Sequence, residues 1–157
     1  MSVPLASAAE ESALDRDVTL LYLIKQVELA VRQALDDVVA TADLTTLQYT
    51  ALTVLERHPG ITSAELARNS FVRAQTMAEM ITYLLGRGLV ARERDESNRK
   101  QYLLTLTSEG LRVLDELLDG VADIETKMLD GFDGGQKEIL RTYLLRCRHS
   151  LSGEPPR

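Results

Sequence analysis

The sequence has very few cysteine and histidine residues. Its 157 residues include one cysteine, Cys147, and two histidines, His58 and His149. A single cysteine excludes an intramolecular disulfide, and Cys147 and His149, two positions apart, would point in different directions on a helix. Three such residues are a poor set of ligands for a zinc site, so no metal or other cofactor is expected.

Long hydrophobic runs are also absent. The longest apolar stretch, Val18 to Ile24, contains Thr19 and is followed by Lys25, whereas a membrane-spanning helix needs about 20 apolar residues. The first residues, MSVPLASAAEESALDRD, lack a basic segment ahead of an apolar one and do not resemble a secretory signal. These features predict a protein that stays out of the membrane and is cytoplasmic.

Catalytic motifs are missing as well. The segment LGRGL contains Gly-x-Gly but has no strand before it, and GFDGGQ lacks the lysine and the strand of a phosphate-binding loop. The sequence offers no convincing nucleophile, general acid or metal cluster. We therefore do not expect an enzyme.

The chain has no overall excess of positive charge, but its charges are unevenly distributed. With 18 basic and 24 acidic residues, the net charge is −6. Residues 61–107 nevertheless contain seven Lys or Arg and five Asp or Glu, a net charge of +2, which leaves −8 for the rest of the chain. A basic middle segment can attract a polyanion even when the average charge of the protein opposes it.

Amphipathic helices are predicted at both ends of the chain. Apolar residues keep helical spacing from about residue 15 to residue 40, while Leu21, Leu23 and Leu29 lie on other faces, so this helix needs more than one partner surface. Two further apolar stripes follow Ser108 and are separated by GFDGG. A small domain cannot cover all these faces, and their simplest use is dimerisation.

Two helix starts are predicted between these ends. Thr45 with Gln48, and Thr62 with Glu65, have the spacing of capping boxes. Pro59 and Gly60 end the first of these helices. The second is short, and its expected core residues are Ala64, Leu66 and Ala67.

The same region continues as a helix-turn-helix followed by a wing. After a turn near Phe71 and Val72, the segment AQTMAEMITYLLGRG has an apolar face made of Met77, Met80, Ile81, Leu84 and Leu85. Two strands with a charged tip between them then cover residues 88–107. The predicted fold is mainly α, a winged helix-turn-helix with a small β-wing, flanked by N- and C-terminal dimerisation helices. The predicted divisions are a flexible tail (1–14), an N-terminal helix (15–42), the winged helix (43–107), C-terminal helices (108–151) and a second tail (152–157).

These residues resemble the multiple-antibiotic-resistance regulator (MarR) family of bacterial transcription factors. The resemblance covers roughly residues 20–150 and is most specific in LTTLQYTALTVLERHPGITSAELA, QTMAEMITYLLGRGLVARERD and LTLTSEG. It implies a homodimer with a winged helix in each subunit and, in many members, a small ligand bound between the winged helix and the dimerisation helices. By this resemblance, the ligand site would be lined by Tyr22, Tyr49, Arg57, His58 and Arg112.

The start of the second helix of the helix-turn-helix carries candidate DNA contacts. Arg73 stands where a Ser, Thr or Asp cap is expected, and a cation there opposes the helix dipole unless a phosphate binds beside it. Gln75 and Thr76 lie on the exposed side of the first turn, and Gln can pair with adenine. Glu79, one turn further on, could accept from cytosine or repel phosphates. As single surface residues, these three could equally be bystanders.

The wing supplies the other candidate contacts, Arg94, Asn98, Arg99 and Lys100. Arginine is attracted to the negative potential of the minor groove, which a wing can reach. Where the family commonly has Asp-x-Arg, this chain has Asn98, Arg99 and Lys100, so the usual wing salt bridge is reduced to a pairing of Asn with Lys. The alternative is a solvated hairpin turn rich in charges, in which Asn98 is a residue that tolerates left-handed geometry.

These features together predict a homodimeric, sequence-specific transcriptional regulator that binds double-stranded DNA. Its two-fold symmetry predicts a pseudo-palindromic operator with half-sites about one helical turn apart. Repression that is released by a small-molecule effector is the expected mode of action. The alternative is a winged-helix adaptor that binds other proteins and has no specific DNA target, which the acidic total and Glu79 favour and the charged wing disfavours.

Overall fold

The computed structural model of the protein describes residues 18–152. These residues belong to two compact units, one ending at Leu117 and the other beginning at Leu118. They form six helices and two strands: α1 (Leu20–Ala40), α2 (Thr46–Arg57), α3 (Ser63–Asn69), α4 (Ala74–Gly86), β1 (Val90–Arg94), β2 (Tyr102–Leu106), α5 (Ser108–Met128) and α6 (Gly134–Ser152). The predicted mainly helical fold with a two-stranded wing is confirmed.

The ends of the predicted divisions lie partly outside the described residues. The N-terminal tail (1–14) and residues 15–17 of the first predicted helix are not described, and α1 begins at Leu20 behind its N-cap Thr19. The C-terminal tail is described only at Ser152, which is the last residue of α6. No helix among residues 18–152 combines the length and apolar character that crossing a membrane requires.

The starts of α2 and α3 are fixed by the predicted capping boxes. Thr45 Oγ1 accepts a hydrogen bond from the Gln48 backbone N–H at 3.2 Å, and Gln48 Oε1 accepts from the Thr45 N–H at 2.9 Å. Thr62 and Glu65 repeat the arrangement at 3.3 and 2.8 Å. Each box satisfies backbone N–H groups that a helix start would otherwise leave free. The bonds from Thr62 also hold the pKa of the Glu65 carboxyl below its usual value.

The helix-turn-helix consists of α3, a turn at Ser70 and Phe71, and α4. Its buried residues include most of those predicted, namely Leu66, Ala67, Met77, Met80, Ile81 and Leu84. The prediction for Ala64 was wrong, because Ala64 is exposed. Leu66, Ala67 and Ser70 follow the i, i+1, i+4 spacing of one helix face, and Ala64 lies about 200° around the axis from Leu66. Ser70 therefore occupies the core position that was assigned to alanine.

Ser70 is buried without a hydrogen-bond partner. It is 3% exposed, and its Oγ atom makes no hydrogen bond within the described part of the chain. An unsatisfied buried hydroxyl costs about 1–3 kcal/mol. We expect Ser70→Ala to raise the free energy of unfolding by about 1 kcal/mol in urea denaturation. Ser97→Ala, which removes an exposed hydroxyl, is the control and should give no gain; a less stable Ser70→Ala protein would contradict the assignment.

The wing is an antiparallel pair of strands anchored to the core at its base. Val90 lies opposite Leu106, and both Val90 and Leu104 are buried. Ile61 adds a single bridge to Leu104, whose N–H donates to the Ile61 carbonyl at 2.8 Å. The base of the wing is therefore held by the segment between α2 and α3.

The start of α5 lies unusually close to the turn that connects α4 with β1. Thr107 Oγ1 donates to the Gly88 carbonyl at 2.6 Å and accepts from the Gly110 N–H at 3.1 Å. The Thr107 N–H donates to the Leu89 carbonyl at 3.1 Å. A Cβ atom on Gly110 would lie 2.2 Å from that same Leu89 oxygen. The segment LTSEG therefore requires glycine at its last position.

The helices at the two ends of the chain expose large apolar side chains. In α1 only Val39 is buried, and in α6 no residue is. Exposed side chains of α1 are Leu20, Leu21, Tyr22, Ile24, Val27 and Leu29, and those of α6 are Ile139, Tyr143, Leu144, Leu145 and Leu151. Within the second unit, α6 and the second half of α5 also form an open groove of about 470 Å³, whose apolar lining consists of Ala122, Met128, Leu129, Leu140, Leu144 and Leu145.

Candidate nucleic-acid interface

The N-terminus of α4 is electropositive. Arg73 is its N-cap residue, has extended backbone geometry and makes no capping hydrogen bond with its side chain. The side chain is exposed. The first N–H groups of a helix have no partner within the helix, and the dipole adds partial positive charge at the same end. A phosphate placed here would be bound by both the backbone and the Arg73 guanidinium.

The first turns of α4 present polar side chains next to this cation. Gln75 and Glu79 are exposed and Thr76 is half-buried. The three predicted base contacts are therefore accessible from solvent, and their role in binding bases stays a prediction. The turn before α4 holds Phe71 at φ 57°, with its side chain 89% exposed. A positive φ is rare for a bulky residue. The ring thus lies at the surface two residues before Arg73.

The wing carries an arginine cluster that the sequence did not reveal. The guanidinium groups of Arg92 and Arg94 lie over the ring of Tyr102, at 4.9 and 5.5 Å from its centroid. Arg94 Nη2 also donates to Tyr102 Oη at 3.1 Å, and this bond lowers the pKa of the Tyr102 hydroxyl. Because paired residues share a face of the hairpin, Arg92, Arg94 and Tyr102 lie together. The predicted Arg94 is therefore one member of a cluster with fixed geometry.

The tip of the wing is organised by Asp95 and Asn98. Asp95 accepts hydrogen bonds from Gln101 Nε2 at 2.9 Å and from Ser97 N and Oγ at 2.9 and 2.7 Å, and these bonds lower the pKa of its carboxyl. Asn98 Oδ1 accepts from the Lys100 backbone N–H at 3.2 Å, which closes an Asx turn. Asn98 does not have a positive φ, so it does not adopt the left-handed geometry that the hairpin-turn alternative would allow it.

Arg99 and Lys100, the two cations at the tip of the wing, form no ion pairs within residues 18–152. Both side chains are exposed. The Asn98 side chain bonds the Lys100 backbone and not its ammonium group. Both charges therefore remain available to an anionic partner.

Three of the five predicted ligand residues lie on α1 and α2, and His58 is the C-cap residue of α2. Tyr22 is exposed on the first turn of α1, and Arg57 and His58 are exposed at the end of α2. Tyr49 is half-buried, and burial raises the pKa of its hydroxyl. Tyr49 is thus the one residue of these four that lies against the core.

The fifth predicted ligand residue, Arg112, is engaged by its own helix. Its guanidinium forms salt bridges with Glu109 and Glu116 on α5. No hydrogen bond joins any two of the five ligand residues in the described part of the chain, and their grouping in one site stays a prediction. Nor do residues 18–152 contain a group of three or more side chains that could hold a metal ion.

A helix-turn-helix followed by a hairpin, with cations at the start of α4 and along the hairpin, defines a winged-helix protein. The sequence model of the MarR family matches residues 44–102. The transcriptional repressor Mb2911 of Mycobacterium bovis is 33% identical over 94 residues, which cover 60% of this chain and 68% of that protein. The chain belongs to the MarR family, and it is accordingly a transcriptional regulator and not an enzyme.

Solved structures extend the similarity beyond the winged helix. A crystal structure of MarR superposes with a TM-score of 0.78 at 26% identity and covers 87% of this chain and 93% of that one. The repressor CouR, solved bound to a 23-mer DNA duplex, has a TM-score of 0.76 at 25% identity and covers 93% and 99% of the two chains.

Proposed function

We propose that this protein is a homodimeric, sequence-specific DNA-binding repressor that is released by a small-molecule ligand. The observation that carries the proposal is the placement of exposed cations in an acidic protein. Arg73 lies at the uncapped start of α4, and the arginine cluster, Arg99 and Lys100 lie along the wing. These are the two parts of a winged helix that reach the major and the minor groove.

In this proposal α4 is the recognition helix and the wing contacts the minor groove. Gln75, Thr76 and Glu79 face the bases, and Arg73 binds a phosphate. Stacking on the Tyr102 ring restricts the side-chain conformations of Arg92 and Arg94. These side chains therefore lose less conformational entropy on binding a phosphate than freely rotating arginines would. The similarity to CouR, which was solved on a DNA duplex, supports this arrangement.

Dimerisation is supported by the exposed apolar faces of α1 and α6. Leu20 and Leu21 are 77% and 75% exposed, and Leu151 is 86% exposed. Large apolar patches on soluble proteins mark interaction surfaces. A second copy of the chain is the simplest occupant, because a two-fold dimer buries the same faces on both subunits.

Repression and its release by a ligand complete the proposal. A dimer that occupies a promoter most simply blocks RNA polymerase, and the similar proteins Mb2911 and CouR are repressors. Tyr22, Tyr49, Arg57, His58 and Arg112 remain the proposed polar groups of the ligand site, on the strength of the family resemblance. Tyr49 also has a structural role, because it packs against the hydrophobic core.

Fluorescence anisotropy tests the DNA-binding function directly. The purified protein is titrated with a duplex from upstream of its own gene and with a scrambled duplex of equal composition, at several salt concentrations. We expect tight binding to the first duplex alone, with an affinity that falls steeply as salt rises, because each phosphate contact releases counterions. Light scattering on the same samples should give the mass of a dimer, alone and on DNA.

The adaptor alternative predicts a different outcome. A protein-binding winged helix would show no salt-dependent binding to any duplex, including a library of genomic fragments. In that case Glu79 and the net charge of −6 would account for the failure to bind a polyanion. Fragments selected from such a library would otherwise identify the operator and permit a screen for molecules that release it.

A further inference from the structure

The C-terminal end of α4 is fastened to the loop that follows α1. Tyr83 Oη donates to the backbone carbonyl of Asp43 at 2.8 Å. Arg87 Nη1 donates to the same carbonyl at 3.0 Å, and Arg87 Nη2 donates to the Ala42 carbonyl at 3.1 Å. Two side chains at the C-terminal end of α4, those of Tyr83 and the C-cap residue Arg87, therefore donate hydrogen bonds to two successive backbone carbonyls of a distant loop. We call this set of four residues the α1–α4 clamp.

The two side chains of the clamp also stabilise each other. Arg87 Nη1 donates to Tyr83 Oη at 2.9 Å, and the guanidinium lies 5.7 Å from the centre of the Tyr83 ring. Tyr83 lies in the last turn of α4 and Arg87 is the C-cap residue four positions later, so the two side chains are neighbours at the end of the helix. The tyrosine hydroxyl thus accepts from Arg87 and donates to Asp43, so both groups have partners within the protein.

The loop that the clamp holds is itself constrained. Asp43 has φ 54°, one of two positive values found in non-glycine residues of the described chain. The N–H groups of Asp43 and Leu44 donate back to Ala40 and Val39, the last residues of α1, at 3.0 and 3.2 Å. The clamp therefore connects α4 to the end of α1 through a short turn with little freedom.

We propose that Arg87 and Tyr83 are positioning residues that fix the recognition helix relative to α1, and thereby set operator affinity without contacting DNA. This inference rests on the proposed function. In a dimer joined through α1, the distance between the two recognition helices depends on how each is held to its own α1. Half-sites about one helical turn apart accept only a narrow range of that distance. A loosened clamp would let the distance between the two recognition helices vary more widely in the free protein. Binding to the operator would then have to restrict that motion, which weakens the affinity.

Conservative variants test the clamp in the full-length protein. Arg87→Lys keeps the positive charge but removes the planar guanidinium that donates to both carbonyls. Tyr83→Phe keeps the ring but removes the hydroxyl. We expect each to weaken operator binding roughly tenfold, with unchanged affinity for the scrambled duplex. Lys127→Arg, on an exposed cation in the last turn of α5, is the control and should bind as the wild type does.

The salt dependence separates positioning from direct binding. If Arg87 only positions α4, the slope of log affinity against log salt stays at the wild-type value in Arg87→Ala. If Arg87 binds a phosphate, the slope decreases in magnitude by about 0.9 for each phosphate that is no longer neutralised, and the inference is wrong. Arg73→Ala serves as the reference for the removal of a phosphate-binding cation.

Hydrogen exchange measured by NMR gives a result that does not depend on DNA. In both conservative variants the Asp43 and Leu44 amides should exchange about tenfold faster than in the wild type, because the loop loses the hydrogen bonds that hold its carbonyls. Unchanged exchange, or unchanged operator affinity, would overturn the inference. Failure of the wild-type protein to bind any duplex would instead overturn the proposed function, and the role of the clamp in DNA binding with it.

Discussion

Replacement of Gly110 by alanine is expected to destabilise the protein by about 3 kcal/mol. In an open helix the same change would stabilise by up to about 1 kcal/mol. Here the new methyl group would lie 2.2 Å from the Leu89 carbonyl oxygen, a backbone atom that cannot rotate away. The start of α5 must move, which breaks the hydrogen bonds that Thr107 makes to Gly88 and Gly110.

Thermal and urea denaturation measure this effect. A loss of that size should lower the melting temperature by about 6–12 °C for a chain of this length. Gly86→Ala is the matched control, because Gly86 also lies in a helix and nothing is within 4 Å of its added Cβ. The control should leave stability unchanged or slightly higher. If Gly110→Ala were as stable as Gly86→Ala, the close approach of α5 to Leu89 would not exist in the protein.

Removal of Arg73 and Arg99 together is expected to abolish operator binding under physiological salt, with a loss of at least about 100-fold. A hydrogen bond to a charged group contributes about 1.5–3 kcal/mol, and the proposed dimer contains each arginine twice. Four arginines would therefore no longer neutralise phosphates. The slope of log affinity against log salt should decrease in magnitude by about three to four, at about 0.9 per phosphate.

The control for this double variant removes the same number of charges elsewhere. Lys127→Ala with Arg146→Ala removes two exposed cations, one from α5 and one from α6. This control should change affinity only through the weak long-range attraction between the protein charge and DNA. Light scattering should show dimers for both proteins. Equal affinity of the two double variants would place the DNA interface away from α4 and the wing, whereas loss of the dimer in Arg73→Ala/Arg99→Ala would mean that the arginines act on assembly.

The parts of the fold that were predictable from sequence are those determined by nearby residues. The capping boxes at Thr45 and Thr62 join residues three apart, so their spacing alone locates the helix starts. The buried face of α4 follows from the helical period over 13 residues. The uncapped Arg73 is likewise visible, because the residue type at an N-cap has a direct electrostatic consequence.

The parts that escaped prediction depend on distant residues or on register. Tyr83 and Arg87 bond to a loop 40 or more residues away, and no local pattern indicates those hydrogen bonds. The stacking of Arg92 on Tyr102 follows from the pairing of β1 with β2, which depends on the length of the wing turn. In α3, seven residues are too few to distinguish the buried face, so Ala64 was assigned to the core in place of Ser70.

The buried residues and the exposed apolar faces of this protein belong to largely separate parts of the sequence. Between residues 18 and 152, every buried residue lies at or before Leu117, and α1 contributes only Val39 to that set. In the proposed dimer, substitutions on α1 and α6 can therefore alter the choice of partner while the core of the winged helix stays the same. In a cell that makes several paralogues, we expect these two helices to decide whether subunits from different genes form mixed dimers. Divergence of the terminal helices after gene duplication would then prevent mixed dimers, so that each paralogue regulates its own genes independently.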